Sequence, residues 1–351
     1  MATIPGSQLF DATASIIAFP GGVNVVETST GTGLPPAIPT DFNLEVYTGN
    51  PPNPTTPFSG YQGLAILSGG GHTLELISGT FAVTDDGTSG GNTLIADGAN
   101  ETISGGTNFI NLILNGNNEV ANGARPGGDF VEVNGTHDTV NGGTGPEAIN
   151  VNAGGNTVNA GSGADTITAS GDGNTIIAGS GPDTITAIGD GDTIAGGTGP
   201  ELVNLVGNNG SVTAGSGADL INVFGTGDTV TAGSGSDTIG MFADSEQMFG
   251  GTGPASIIAT GNADTVTAGS GDLSVAAFGP NFQFVDNGAV VYNDTITGFS
   301  QPAGDRIHLA AGDTVATLTP ENGGTDTLIT LSDGSTILLK GVSHVDNSFF
   351  N

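Results

Sequence analysis

An apolar residue recurs every ninth position from Val131 to Phe284. Stepping by nine gives Val131, Val140, Ile149, Val158, Ile167, Ile176, Ile185, Ile194, Val203, Val212, Ile221, Val230, Ile239, Met248, Ile257, Val266, Val275 and Phe284. Only 36% of the chain is hydrophobic, so eighteen apolar residues in a row at this step are not chance. Unrelated amphipathic strands would lose that register, and the segment is therefore one repeat architecture. A unit of this length is too short and too glycine-rich for a helix. It fits a strand of about three residues followed by a turn of about six.

A second period lies over the first, because alternate units differ. One class reads "GGTGPEAIN", "AGSGADTIT", "AGSGPDTIT", "GGTGPELVN", "AGSGADLIN" and "AGSGSDTIG", with its acid at Glu147, Asp165, Asp183, Glu201, Asp219 and Asp237. The other reads "NGTHDTV", "GDGNTII", "GDGDTIA" and "GTGDTVT", with Asp138, Asn156, Asn174, Asp192, Gly210, Asp228, Glu246 and Asp264 in the matching place. One coil is therefore eighteen residues with two unlike sides. The apolar residue of each unit points inward, and neighbours such as Thr166 and Thr168 point outward, because side chains alternate along a strand. Stacked coils then pair as parallel strands, which makes an all-β parallel β-solenoid stabilised between neighbouring coils.

Such coils enclose few large side chains. The 351 residues include 63 glycines, no tryptophan and three tyrosines. Hydrophobic burial alone must then offset the entropy of ordering many glycines, and the acidic turns are where further stabilisation can enter. Thirty-five acids face three bases, Arg125, Arg306 and Lys340, for a net charge of -32. Self-repulsion of that size calls for bound cations or solvent, and it disfavours nucleic acid or an anionic membrane as partner.

The first class of units resembles the nonapeptide of calcium-binding RTX proteins, Gly-Gly-x-Gly-x-Asp-x-apolar-x. The resemblance implies a parallel β-roll in which calcium lies between same-side turns of successive coils. Calcium takes six to eight oxygens from carboxylates and carbonyls, and glycine lets a turn aim its carbonyls at one point. The implied metal sites pair Asp165 with Asp183 and Asp219 with Asp237. The carbonyls would come from Gly161, Gly163, Gly179, Gly181, Gly215, Gly217, Gly233 and Gly235. Glu147 and Glu201 hold the acid position with one extra methylene and extend the set, whereas Ala255 and Leu273 interrupt it. The second class places its glycines differently; it is expected to bind calcium weakly or not at all and to use its Asn and Asp as hydrogen-bonding turn residues instead.

The rest of the chain is less regular. Residues 60–130 carry apolar clusters such as "LAIL", "NTLIA" and "NFINLIL" at uneven intervals, expected to be irregular solenoid coils ahead of the regular β-roll of 131–289. The segment "NGARPGGD" reads as a small insertion at the junction. Residues 1–59, with "GTGLPPAIPT" and "GNPPNPTTP", read as a Pro-rich N-terminal arm. Residues 290–351 alternate as strands and contain an Asp-Gly hairpin, a C-terminal β cap. This cap looks like the RTX flank that carries an uncleaved signal for bacterial type I secretion. The start "MATIPGSQLF" lacks the features of a Sec signal peptide, and no apolar run is long enough to cross a bilayer. The implied location is extracellular or at the cell surface.

No catalytic constellation stands out. His72, His137, His308 and His344 are scattered, and no nucleophile elbow or phosphate loop is present. The chain is therefore expected not to be an enzyme. Two readings remain: a calcium-stabilised structural protein that self-assembles into a filament, matrix or surface layer as a homo-oligomer or polymer, and an adhesin that binds glycan or ice through Thr and Ser rows.

Overall fold

A computed structural model describes residues 27–29, 44–48, 58–68, 73–85, 92–104, 110–122, 128–288 and 291–350. The fold is an all-β parallel β-solenoid with an eighteen-residue step, and no α-helix occurs among the described residues. The chain divides into two compact units, Met1–Gly171 and Asp172–Asn351.

In the first unit, Phe130–Val133, Ala148–Val151 and Thr166–Ser170 pair in parallel, with Val131, Ile149 and Ile167 in register. On the other side of the coil Val120–Asn122, Thr139–Asn141 and Thr157–Gly161 do the same through Ala121, Val140 and Val158. The ladders continue upstream into Ile110–Leu114 and Asn92–Ala96, and into Thr102–Ser104. Most of the expected N-terminal arm and the core of the "NGARPGGD" insertion lie outside the described residues.

In the second unit, Thr184–Ile188 pairs with Leu202–Val206, and the same step leads through Leu220–Val223, Asp237–Met241, Ala255–Ala259 and Leu273–Ala277. The opposite ladder runs from Thr175–Gly179 to Arg306–His308. At the C-terminal end, Asp326–Leu331 and Thr336–Lys340 form an antiparallel hairpin through Asp333 and Gly334, and Thr336–Lys340 also lies parallel to Asn293–Thr297.

The coil is wider than one inward residue per strand. On the longer strands a second inward position is filled by Val133, Val151, Ala187, Leu205, Val223 and Met241, all at most 1% exposed. A five-residue strand exposes two inward positions to the lumen, and each large aliphatic buried there contributes about 1.5–3 kcal/mol.

Candidate metal-binding turns

The turn acids do not face solvent. Glu147 and Asp165 in the first unit, and Asp183, Glu201, Asp219 and Asp237 in the second, are 2–3% exposed. Alternation explains the direction: an acid two residues before an inward apolar residue, as Asp165 before Ile167, shares its side of the strand. Once inside, a carboxylate must find donors, and the turn amides supply them. The amide of Glu147 donates to Asp165 Oδ1 at 2.7 Å, that of Glu201 to Asp219 Oδ1 at 2.9 Å, and that of Asp219 to Asp237 Oδ1 at 3.2 Å. A second donor comes from within the turn: Gly143 N–H reaches Glu147 Oε1, Gly197 N–H reaches Glu201 Oε1, and Gly233 N–H reaches Asp237 Oδ2. Glu147 and Glu201 thus lock their own turns, Asp165 and Asp219 clasp the coil before them, and Asp237 does both.

The second side of the coil uses the same device. Glu119 N–H donates to Asp138 Oδ1, Asn174 N–H to Asp192 Oδ1, Gly210 N–H to Asp228 Oδ1 and Glu246 N–H to Asp264 Oδ1, at 2.7–3.2 Å. Asn156 takes the same place toward the amide of Asp138 at 2.7 Å. Hydrogen bonding by turn residues, expected of this side, is therefore common to both.

The glycines of the expected sites lie beside these acids. Asp165 Oδ1 and Asp219 Oδ1 sit 2.7 and 2.8 Å from where a Cβ would project at Gly163 and Gly217. The carbonyls of Gly179, Gly215 and Gly233 accept the amides of Thr198, Ser234 and Thr252 at 2.9 Å, so they belong to the ladder between coils. Gly161 packs on the carbonyl of Gly143, and the carbonyls of Gly181, Gly217 and Gly235 abut the α-carbons of Gly199, Gly235 and Gly253. Asp219 and Asp237 are brought together within the second unit, whereas Asp165 belongs to the first unit and Asp183 to the second.

Burial makes several of the turn acids reluctant to ionise. Loss of water, followed by the adjoining acid, pushes Glu147 and Glu201 up to about 8. Burial also raises Asp237, Asp192 and Asp228, and takes Asp138 and Asp264 to about 6. Glu101 reaches about 7, and Glu119 and Glu246 about 9. No Lys or Arg lies between residues 131 and 289 to compensate them. Several oxygens are buried without any hydrogen bond: Glu147 Oε2, Glu201 Oε2 and Asp219 Oδ2 on the first side, Asp138 Oδ2, Asp192 Oδ2 and Glu246 Oε1 on the second. A bare, buried, hard oxygen holds either a proton or a hard cation, so the donor set fits calcium.

Another acidic group was not legible in the repeat. Asp286, Asp313 and Asp333 place carboxylate oxygens within 4.8 Å of one another near the C-terminal hairpin. Asp286 is held by Tyr292 Oη at 3.0 Å, Gly288 N–H at 3.0 Å and Ala310 N–H at 3.1 Å. Ser332 Oγ donates to Asp313, and Ser335 to Asp333. The three acids follow no period: Asp333 lies in the hairpin turn, and Asp286 and Asp313 come from the chain ahead of the hairpin. Among the described residues, no helix is long and apolar enough to cross a membrane.

No protein-family description matches the chain, and no curated protein does. Among solved structures, the chain is similar to the extracellular lipase LipA from Serratia marcescens, at 15% identity and a TM-score of 0.23. The match covers 61% of this chain and 39% of that one, so the chain spans well under half of that structure. One expectation is corrected by this finding. The similar structure is a lipase, so the lack of a recognisable catalytic motif does not make this chain a non-enzyme.

Proposed function

We propose that the chain is a secreted, calcium-stabilised β-solenoid of the RTX type that self-assembles outside the cell into a filament, matrix or surface layer. The observation that carries the metal reading is the column of buried carboxylates with bare oxygens in a chain of 35 acids and three bases. Glu201, Asp219 and Asp237, and Glu147 with Asp165, would hold the ion, which neutralises their charge and ties successive turns. Where calcium is scarce the ionised turns repel one another, and where it is abundant the coils close. That asymmetry suits a chain that is exported before it folds.

The test is a thermal melt of the purified protein in calcium and in chelator at pH 8, with Asp219→Asn beside the parent. Asparagine keeps an oxygen to accept the Glu201 amide but removes the charge. Calcium at about a hundred times its dissociation constant stabilises by ~2.7 kcal/mol per site, so the parent is expected to gain clearly in melting temperature. The variant is expected to lose part of that gain and to be no less stable in chelator. Electron microscopy of the calcium-loaded parent tests assembly. A melt unchanged by calcium would remove the metal reading, and monodisperse single particles would remove assembly.

A further inference from the structure

The repeat carries a third column, which is apolar and exposed. In the second unit, positions spaced by eighteen hold Ile188, Val206, Phe224, Phe242, Thr260 and Phe278. Ile188 and Val206 are paired in register, and the amides of Phe224, Phe242 and Phe278 bond to the preceding coil at 2.8–3.1 Å, so the column is a straight row. Coil spacing sets its step at about 4.8 Å. The five apolar members are 38–67% exposed. The Phe224 and Phe242 rings stack with centroids 5.2 Å apart. Phe242 lies down on the sheet, over Gly240, where any side chain would collide with the ring.

The same sheet face has two further outward columns, starting at Thr184 and Thr186 and taking every eighteenth residue to Ser274 and Ala276. None of their positions is charged, and they include the exposed Leu220 and Ile258. The acids stand at the margin instead, at the exposed Asp190 and Asp244. On the opposite ladder the exposed large apolar residues Ile177 and Phe249 are four coils apart and form no row.

We infer that this face is where a second copy of the chain docks. This rests on the reading of self-assembly and adds the surface that performs it. A chain of charge -32 repels its own copies, and an uncharged face is where that repulsion costs least. A basic partner, by contrast, would be drawn to the acidic turns. Taking ~200 Å² for a whole large side chain, the seven exposed apolar residues leave roughly 600 Å² open. The Thr, Ser and Asn between them bring the face near the ~800 Å² per partner of a standard interface. A row with a constant step matches its own copy when turned about a two-fold axis, which sets Phe224 and Phe242 against the same pair. Buried aromatics at the centre of an interface carry much of its affinity.

Sedimentation of the calcium-loaded protein, with Phe224→Ser/Phe242→Ser and Phe249→Ser as variants, tests this. The double variant is expected to weaken association about a thousandfold or more, because the two-fold presents each aromatic twice at over ~1 kcal/mol apiece, while Phe249→Ser matches the parent. Salt should strengthen association, because it screens the net charge. Because the chain has no cysteine, Phe224→Cys gives a second readout: a bismaleimide long enough to span the ~10 Å between packed sheets is expected to join two copies through that residue. A parent that associates while the double variant associates equally, and Phe224→Cys fails to cross-link, would overturn this face and leave assembly standing. A parent monomeric at every concentration would overturn both.

Discussion

In chelator, the protein is expected to be most stable near pH 4–5 and to lose stability steadily toward pH 9. The buried glutamates set the direction. Glu119 and Glu246 rise from 4.5 to about 9, Glu147 and Glu201 to about 8, and Glu101 to about 7. A folded state with raised carboxyl pKa values binds protons more tightly than the unfolded chain. Its stability is therefore complete below about 4.5 and is lost as pH climbs through the folded values of 7 to 9. Each tenfold gain in proton affinity is worth about 1.4 kcal/mol, so several such glutamates titrating over one range make the pH dependence steep. Calcium should flatten the curve, because an ion in place of the proton removes the need to protonate. Melting temperatures from pH 5 to 9, with and without calcium, check both halves. A flat curve in chelator would mean that water reaches these carboxylates.

That prediction depends on a feature only partly readable in the sequence. The nine-residue recurrence led to the coil, and Ile149 over Ile167 and Val203 over Ile221 stand in the register it implied. The burial of the acids was hidden by composition, since Asp and Glu are seldom fully buried. Yet the alternation that turns Thr166 outward turns Asp165 inward beside Ile167, and that signal was available. The exposed Phe224, Phe242 and Phe278 also repeat at eighteen. They were masked because the inward apolar column dominates the pattern. Asp286, Asp313 and Asp333 had no such signal, because they come from segments distant in sequence and follow no period.

The acid lock also explains why the turn acids tolerate a change of length. Glu147 and Glu201 carry one methylene more than Asp165 and Asp219, yet each is buried like the Asp of its own unit and takes an amide from its own turn, at Gly143 and Gly197. A longer arm reaches further into the turn. The bond to the preceding coil needs only an acceptor, a demand that Asn156 on the second side of the coil meets without charge. Charge is therefore additional to the hydrogen-bonding role, and the acids retain it at the cost of the pH sensitivity above.

Gly235→Ala is expected to be among the most damaging single changes in the second unit, with a loss of about 3 kcal/mol or more. A Cβ there would meet the carbonyl oxygen of Gly217 in the preceding coil, with Ala218 N a further 3.2 Å neighbour. Overpacking a side-chain core costs ~1–3 kcal/mol because side chains can yield. Here the obstacle is backbone, and the Ser234 amide bond to Gly215 at 2.9 Å and the Asp219 amide bond to Asp237 at 3.2 Å hold the two coils at that spacing. Relief would require the coils to part and weaken both locks. Gly191→Ala is the comparison, because Gly191 has φ 73° with nothing within 4 Å of its Cβ position. Only the left-handed backbone opposes it, at roughly 1–2 kcal/mol. Denaturant midpoints of the two variants, in calcium, measure the difference. Equal losses would mean that the coils slide apart freely, and that the glycines are there for turn conformation rather than for the close stacking of one coil on the next.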